Sequence, residues 1–356
     1  MKIIHTADLH LESKLQSNLS KEKAKQIRDE LKQNFAILVQ TAKDDDVDII
    51  ILAGDIFDKN TVSPSLKSFF LSIIENAPNI TFLYVPGNHD ENVFYAMEYP
   101  KNLIIFSDKW EYFDFKEVII CGRTIKQTND DRIFQSLHLD SKRLNIAILH
   151  GEIVSGNAQS VDFGISLNLL YNKGIDYLAL GHIHGYSKGR IDDRGIYCYS
   201  GALAGRGFDE LNEKGYVLLE IENGKIFDTF IPFSKREYKE VNVNISNCFT
   251  ELEIINEIEK IVKNINSDNL LKIVLTGDCN LQANKDLDYI EKQFEQNFFF
   301  VKIVDKTKLK IDIEKLKGDI SLKGEFIRLV LNQDLTEQEK TDIITLGIKA
   351  LEGDEI

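Results

Sequence analysis

Five short apolar runs constrain this chain more than anything else in it. They are KIIHTA (2–7), VDIIILA (47–53), ITFLYV (80–85), LNIAIL (144–149) and IDYLAL (175–180), and each empties into polar sequence. The first gives way to Asp8-Leu9-His10 and the second to Gly54-Asp55-Ile56-Phe57-Asp58. The third leads to Pro86-Gly87-Asn88-His89-Asp90, the fourth to His150-Gly151, and the fifth to Gly181-His182-Ile183-His184. Their lengths suit strands. Helical spacing appears between them, in Ala24, Ile27, Leu31, Phe35, Leu38 and Ala42 across residues 20–43. Ser63-Pro64 reads as an N-cap with proline at N1, opening a helix that carries Leu66, Phe70, Ile73 and Ile74. Strand–helix alternation of this kind predicts an α/β layered domain. Ligands of such sheets bind beyond the C-terminal ends of the strands, where all five polar groups fall.

Five of the seven histidines lie in those five places. A strand puts residues i and i+2 on one face, so His182 and His184 could aim at a common point, with glycines on both sides to let the chain turn. Imidazole, carboxylate and one amide make a donor set for two borderline transition metals such as Mn, Fe, Co or Zn, without the thiolates of a structural zinc site. A carboxylate shared by two ions fits in-line displacement at phosphorus. Polar caps and turns would explain any one segment. They do not explain five in succession. Elsewhere the residues read more plainly: His5 as a core histidine, Asp90 as the closure of a turn, and His138 as belonging to no constellation. Arg123, Arg206 and Lys188 could meet substrate phosphates, although lone basic residues are usually solvated.

With 356 residues, the chain has room for one large domain and a smaller one. A net charge of −14 argues against a general nucleic-acid binder, because phosphate affinity normally comes from a basic surface. Bound divalent ions would reverse the sign locally and weaken that objection. No apolar run is long enough to predict a transmembrane helix. The opening MKIIHTADLH reaches an Asp and a His too early for a signal peptide. Cys121, Cys198, Cys248 and Cys279 are widely spaced, which predicts reduced thiols and a cytoplasmic setting.

Taken together, DxH, GDxxD, GNHD, a lone His before Gly and GHxH resemble the calcineurin-like metallophosphoesterases. Within them the chain is most similar to SbcD-type double-strand-break repair exonucleases, especially the YhaO-like branch. The likeness lies in HTADLHLES (5–13), LAGDIFD (52–58), VPGNHDE (85–91), LALGHIHGY (178–186), YSGALAGRGFDELNEKGYVLLEI (199–221) and LKGEFIRLVL (322–331). It implies a sandwich of two mixed sheets flanked by helices, a small α+β cap and a helical tail. It also implies two divalent metal ions, manganese foremost, and a two-metal-activated hydroxide attacking phosphodiester bonds at DNA ends. By position, Asp8, His10, Asp55 and His184 would hold one metal, and Asp55, Asn88, His150 and His182 the other. His89 would serve the leaving oxygen without ligating, the Asp58 side chain would orient His89, and Arg206 would touch substrate. A coiled-coil ATPase of the SbcC kind would be the partner, since no GxxxxGK[ST] occurs here; relatives also form homodimers.

The metal motifs stop near residue 235. VNVNI (241–245), a helical stretch over 250–265, LLKIVLTG (270–277), a helix from about 285 and FFFVKIV (298–304) predict a small β-α-β-α-β unit. The expected partition is a nuclease domain over 1–235, a cap over 236–310 that relatives use to select DNA ends, and a tail over 311–356. Thr336 and Glu339 predict a capping box on a terminal helix bearing Ile343, Ile344, Leu346, Ile348 and Leu351 and stopped by Gly353. Packing on its own domain and docking to the ATPase are both open roles for that helix. Two other functions also stay open: a phosphodiesterase or phosphatase for nucleotides or phosphoproteins, and a scaffold without activity.

Overall fold

The computed structural model describes the chain except residues 14, 16–18, 59–61, 91–92, 95–96, 127–130, 157–160, 281–284, 311–319 and 353–356. It divides into two units, Met1–Tyr238 and Lys239–Ile356. The first is built on two six-stranded mixed sheets. In one, β1 (Lys2–Thr6), β2 (Ile49–Leu52), β3 (Thr81–Tyr84) and β4 (Leu103–Ile105) run parallel. In the other, β5 (Glu111–Asp114) pairs antiparallel with β6 (Val118–Gly122), which runs parallel to β7 (Leu144–His150). A short parallel pair, β8 (Glu152–Val154) and β9 (Gly164–Ser166), follows. The second sheet continues through β10 (Tyr177–Gly181) and β12 (Ile196–Tyr199), both parallel to β7, to an antiparallel edge strand β11 (Ser187–Arg190). The first sheet is completed by β13 (Gly215–Glu222), antiparallel to β1, and β14 (Lys225–Pro232) at the edge.

Alternation along each strand divides its apolar residues between two layers. Ile49 and Ile51 of β2 meet Ile146 and Ile148 of β7 between the sheets. Ile50 and Leu52 point the other way, onto α1 (Lys21–Asp44) and α2 (Pro64–Glu75), where Phe35, Leu38 and Phe70 receive them. Ala147 and Leu149 of β7 pack on the outer layer with Phe134 of α3 (Arg132–Gln135) and Leu170 of α4 (Leu167–Leu170). Strands buried on both faces read as unbroken apolar runs, which is why they stood out in the sequence. Phe35 and Phe70 stack at 4.8 Å with no exposure, so truncating Phe70 to alanine should cost about 3–5 kcal/mol. The second helix starts at the predicted cap, Ser63 accepting from Leu66 N with Pro64 in the first turn, and the first is capped by Ser20, which accepts from Lys23 N.

The second unit carries the expected β-α-β-α-β order. A sheet of β15 (Tyr238–Asn244), β16 (Leu270–Thr276) and β18 (Phe300–Asp305) encloses a core with α5 (Glu251–Val262) and α6 (Leu287–Phe294), through Ile254, Ile258, Ile273, Ile290 and Phe294. A small parallel pair, β17 (Asp278–Asn280) and β19 (Lys308–Lys310), accompanies it. Two helices close the unit: α7 (Leu322–Leu331) and α8 (Glu337–Glu352). Ile327 and Val330 pack against Ile344 and Ile348. Thr336 and Glu339 form the reciprocal bonds of a capping box, at 2.8 and 3.3 Å. The expected stop, Gly353, lies outside the described residues.

Candidate metal centre

The loops beyond β1, β2, β3 and β10 and the last residue of β7 meet at one edge of the two sheets. They create two groups of ligating atoms, Asp8 with His10 and His184, and Asp55 with His150 and His182, each group lying within 4.8 Å of itself. His10 and His184 face each other with their Nε2 atoms 3.1 Å apart. His150 Nε2 lies 3.0 Å from Asn88 Oδ1 and 3.4 Å from Asp55 Oδ2. The same Asp55 oxygen is 3.9 Å from His10 Nε2, so it stands between the two groups. His150 falls inside its strand and not after it, because β7 stays in register with β10 as far as Gly181.

The backbone is bent to produce this convergence. Asp8, His10, Asp55 and His182 have φ of 52°, 44°, 52° and 99°. Such conformations cost non-glycine residues on the order of 1–3 kcal/mol each and persist where surrounding structure over-determines them. Hydrogen bonds across the sheets supply that support. His182 N donates to both Asp8 carboxylate oxygens at 3.0 and 3.1 Å, and His89 N to Asp55 Oδ1 at 3.0 Å. Asp90 accepts from Gly87 N at 2.6 Å and Ile56 N at 2.7 Å, closing the turn and tying the β3 loop to the β2 loop. Side chains would not fit at the glycines. A Cβ on Gly87 would lie 2.1 Å from Asp55 Oδ1, and one on Gly181 2.0 Å from Ala53 O.

Charge in the site is unbalanced. Burial pushes the Asp8 carboxyl up, and the neighbouring Asp55 charge adds to the effect, against the pull of His150. Burial resists ionisation of Asp55 too, but His150 holds it well below the usual carboxylate range. His150 itself, opposed by burial, is carried up to about 9 by Asp55 and Asp8. His182 is lowered to about 4 by burial and by the charge on His150. Two buried carboxylates thus draw a proton onto a buried imidazole. The Nδ1 atoms of His150 and His184 are already bonded, to Ala53 O at 2.8 Å and Glu210 Oε1 at 2.8 Å, which leaves both Nε2 atoms turned into the clusters. A divalent ion would displace that proton and take over its charge, and imidazole nitrogen with carboxylate oxygen is the donor set such an ion takes.

His89 stands beside these groups, with its side chain 43% exposed and Nε2 4.0 Å from Asp55 Oδ2. Its orienting partner differs from the one expected. Nδ1 donates to the Asp58 main-chain carbonyl at 3.1 Å. The Asp58 carboxylate turns away, to within 3.3 Å of His10 Nδ1 and 3.4 Å of Arg206 Nη1. Arg206, the residue expected to touch substrate, has its guanidinium bonded to Glu210 at 2.6 and 3.0 Å and its side chain 15% exposed. Arg123 and Lys188 are also bonded elsewhere, to Asp108 O and the Asp228 carboxylate. His5 is the core histidine expected, bonded to Tyr177 Oη and Leu180 O and lowered to about 3 by burial. His138 is exposed and away from the site.

Two residues at the site had no signal of their own. Glu210 is buried against His184 and Arg206, which hold its carboxyl at about 2 although burial opposes ionisation. Lys214 Nζ donates to His184 O at 2.9 Å. Both belong to GRGFDELNEK (205–214), within the block whose likeness to the nucleases was noted, but neither was singled out as a site residue.

Comparison with known proteins agrees with this geometry. The chain is 28% identical over 244 residues to the uncharacterized metallophosphoesterase YhaO of Bacillus subtilis, a match spanning 64% of this chain and 59% of YhaO. It is 24% identical over 379 residues to the DNA double-strand break repair protein Mre11 of Saccharolobus solfataricus, spanning 100% of this chain and 96% of that one. With a component of the nuclease SbcCD from Staphylococcus epidermidis it shares 26% identity over 282 residues, 68% of this chain and 72% of the other. The family profile for the calcineurin-like phosphoesterases matches residues 1–186, which reach from the first ligand-bearing strand through His184. The chain belongs to the calcineurin-like phosphoesterase family.

Proposed function

We propose that this protein is a metal-dependent DNA nuclease of the SbcD type, hydrolysing phosphodiester bonds at DNA ends in double-strand-break repair. The observation that carries the reading is the convergence of two ligand groups on either side of Asp55, with a partly exposed His89 beside them. Asp8, His10, Asp55 and His184 would hold one ion, and Asp55, Asn88, His150 and His182 the other. Two divalent ions, manganese foremost, would supply Lewis acidity and an activated nucleophile for in-line displacement. His89 has the reach and exposure to hold or deliver a proton at the leaving oxygen, its ring fixed by the Asp58 carbonyl. DNA as substrate is supported by the names of two relatives, a double-strand break repair protein and a nuclease component.

The three-part organisation into 1–235, 236–310 and 311–356 belongs to the same proposal, as does a coiled-coil ATPase partner of the SbcC kind. In the tail, Ile344 and Ile348 are used in packing on α7, whereas Ile343, Leu346 and Leu351 face solvent, and that second face is the one we assign to the ATPase. A cytoplasmic setting is in keeping with buried free thiols at Cys121, Cys198 and Cys248. Among the described residues, no helix is long and apolar enough to cross a membrane.

A net charge of −14 favours a second reading, a phosphodiesterase for small nucleotides at the same site. Turnover of a DNA hairpin or duplex end and of a cyclic nucleotide, measured side by side with manganese, separates the two. The nuclease reading expects DNA to be the better substrate by kcat/KM. Preference for the cyclic nucleotide would overturn it.

A further inference from the structure

We propose that Glu210 and Arg206 are positioning residues for the Asp8–His10–His184 cluster alone, so that its hold on a cation can be weakened without touching the Asp55–His150–His182 cluster. The proposal rests on the two-ion reading above. Its basis is what stands behind each imidazole. His184 Nδ1 lies 2.8 Å from Glu210 Oε1. Arg206 Nη2, which can only donate, is 3.2 Å from the same nitrogen, but the carboxylate is nearer and can only accept, so the proton sits on Nδ1 and the Nε2 lone pair faces inward. Glu210 is itself held from three directions by Arg206, through its main-chain N at 3.0 Å, Nε at 3.0 Å and Nη2 at 2.6 Å. The far side of the guanidinium, Nη1, lies 3.4 Å from Asp58 Oδ1, and that oxygen is 3.3 Å from His10 Nδ1. One arginine therefore links two carboxylates: Glu210, bonded to His184, and Asp58, which lies beside His10 Nδ1 without a hydrogen bond to it.

The other cluster has no such backing. His150 Nδ1 uses the Ala53 carbonyl, a neutral main-chain partner that no side-chain substitution removes. His182 packs edge-on against the His150 ring, and among the described residues no carboxylate bonds either ring from behind. A carboxylate behind a ligating histidine fixes its tautomer and raises its basicity, and loss of such a partner typically costs about 10–100-fold in metal affinity. The cost here should fall on one ion of two.

The test is equilibrium dialysis of Mn²⁺ against the full chain, as wild type and as Glu210→Gln, with Co²⁺ absorption spectra recorded on both. Glutamine keeps the size of Glu210 and removes its charge. The wild type is expected to bind two ions. The variant should bind one with wild-type affinity and the other about 10–100-fold more weakly, with loss of one of the two cobalt signatures. Arg206→Lys serves as an independent variant, since lysine retains the charge without the fork that spans both carboxylates. It should weaken the same ion. Equal weakening of both ions would mean a loosened fold, and unchanged binding in both variants would mean no role; either result overturns the proposal while leaving the two-ion reading intact. A wild type that binds fewer than two ions overturns both together.

Discussion

His184 and His150 sit at the ends of neighbouring stretches of one sheet, one in each ligand cluster, and their Nδ1 atoms find different partners. His184 is backed by a carboxylate 2.8 Å away, reached from a loop more than twenty residues further along the chain. His150 is backed at the same distance by the carbonyl of Ala53, which the sheets bring alongside. Their electrostatics diverge accordingly. His150 lies close to Asp55 and gains a proton, at about 9. The carboxylate behind His184 is shared with Arg206, and His184 and Arg206 together hold Glu210 at about 2. Identical ligand types can therefore be supported by main chain in one cluster and by a side-chain network in the other. The first kind of support is built into the strand pairing, and the second is open to substitution.

The comparison breaks most completely at Asp55, whose Oδ2 stands between the clusters. Asp55→Asn should remove the charge that both groups use and lower phosphodiester hydrolysis on the order of 10³-fold or more, beyond what loss of an outer partner costs. Circular dichroism should show the fold retained. Full manganese-dependent activity in that variant would show that the clusters do not share Asp55. The next largest effect belongs to His89, which the proposed function places at the leaving oxygen and outside both ligand sets. His89→Ala should keep its metal, measured by dialysis, and lose about 10²–10⁴-fold in turnover. Asp58→Asn sharpens the point. Its carboxylate faces His10 and Arg206 while only its carbonyl meets His89, so its effect should be on metal affinity. In the double variant with His89→Ala the losses in turnover should multiply, as they do for residues that act separately. Strong non-additivity would return Asp58 to a role through His89.

A smaller effect is expected at His5, which lies in β1 just before Asp8 and His10 but outside both clusters. Burial lowers its pKa to about 3, so the folded protein holds it neutral while the unfolded chain takes up a proton near the ordinary value of 6.5. Stability contributed by this difference is complete above about pH 6.5 and declines by roughly 1.4 kcal/mol per pH unit as the pH falls toward about 3. Urea unfolding at pH 7 and pH 5 should show that decline in the wild type. A His5→Gln variant should be flatter between the two values, and an equal slope would assign the acid sensitivity elsewhere.

Much of this site was legible in the sequence because strands buried on both faces announce themselves as apolar runs and their ends are marked by glycine, Asp and His. LAGDIFD and LGHIHG read as strand ends, and they are. The shape of the second sheet's edges was not legible. Ser187–Arg190 is exposed and polar, with no periodicity to separate it from a loop. The support network was hidden for a different reason. Glu210 reaches His184 because the chain bridges Ala7 at Ala202 and then folds back so that Gly205 lies close to the Glu210 carbonyl, and a contact of that kind leaves no local pattern. Asp58 misled for a related reason: its position in GDIFD was right, but which of its oxygens meets His89 is decided by the turn, not by the residue type.

The central claim is that the strand ends hold two ions across Asp55. Anomalous diffraction at the manganese edge, from crystals of the full chain grown with Mn²⁺, tests it most directly. Two peaks are expected about 3.5–4 Å apart, one among Asp8, His10 and His184 and the other among Asn88, His150 and His182, with Asp55 between them. A single peak, or two peaks that do not share Asp55, would contradict it.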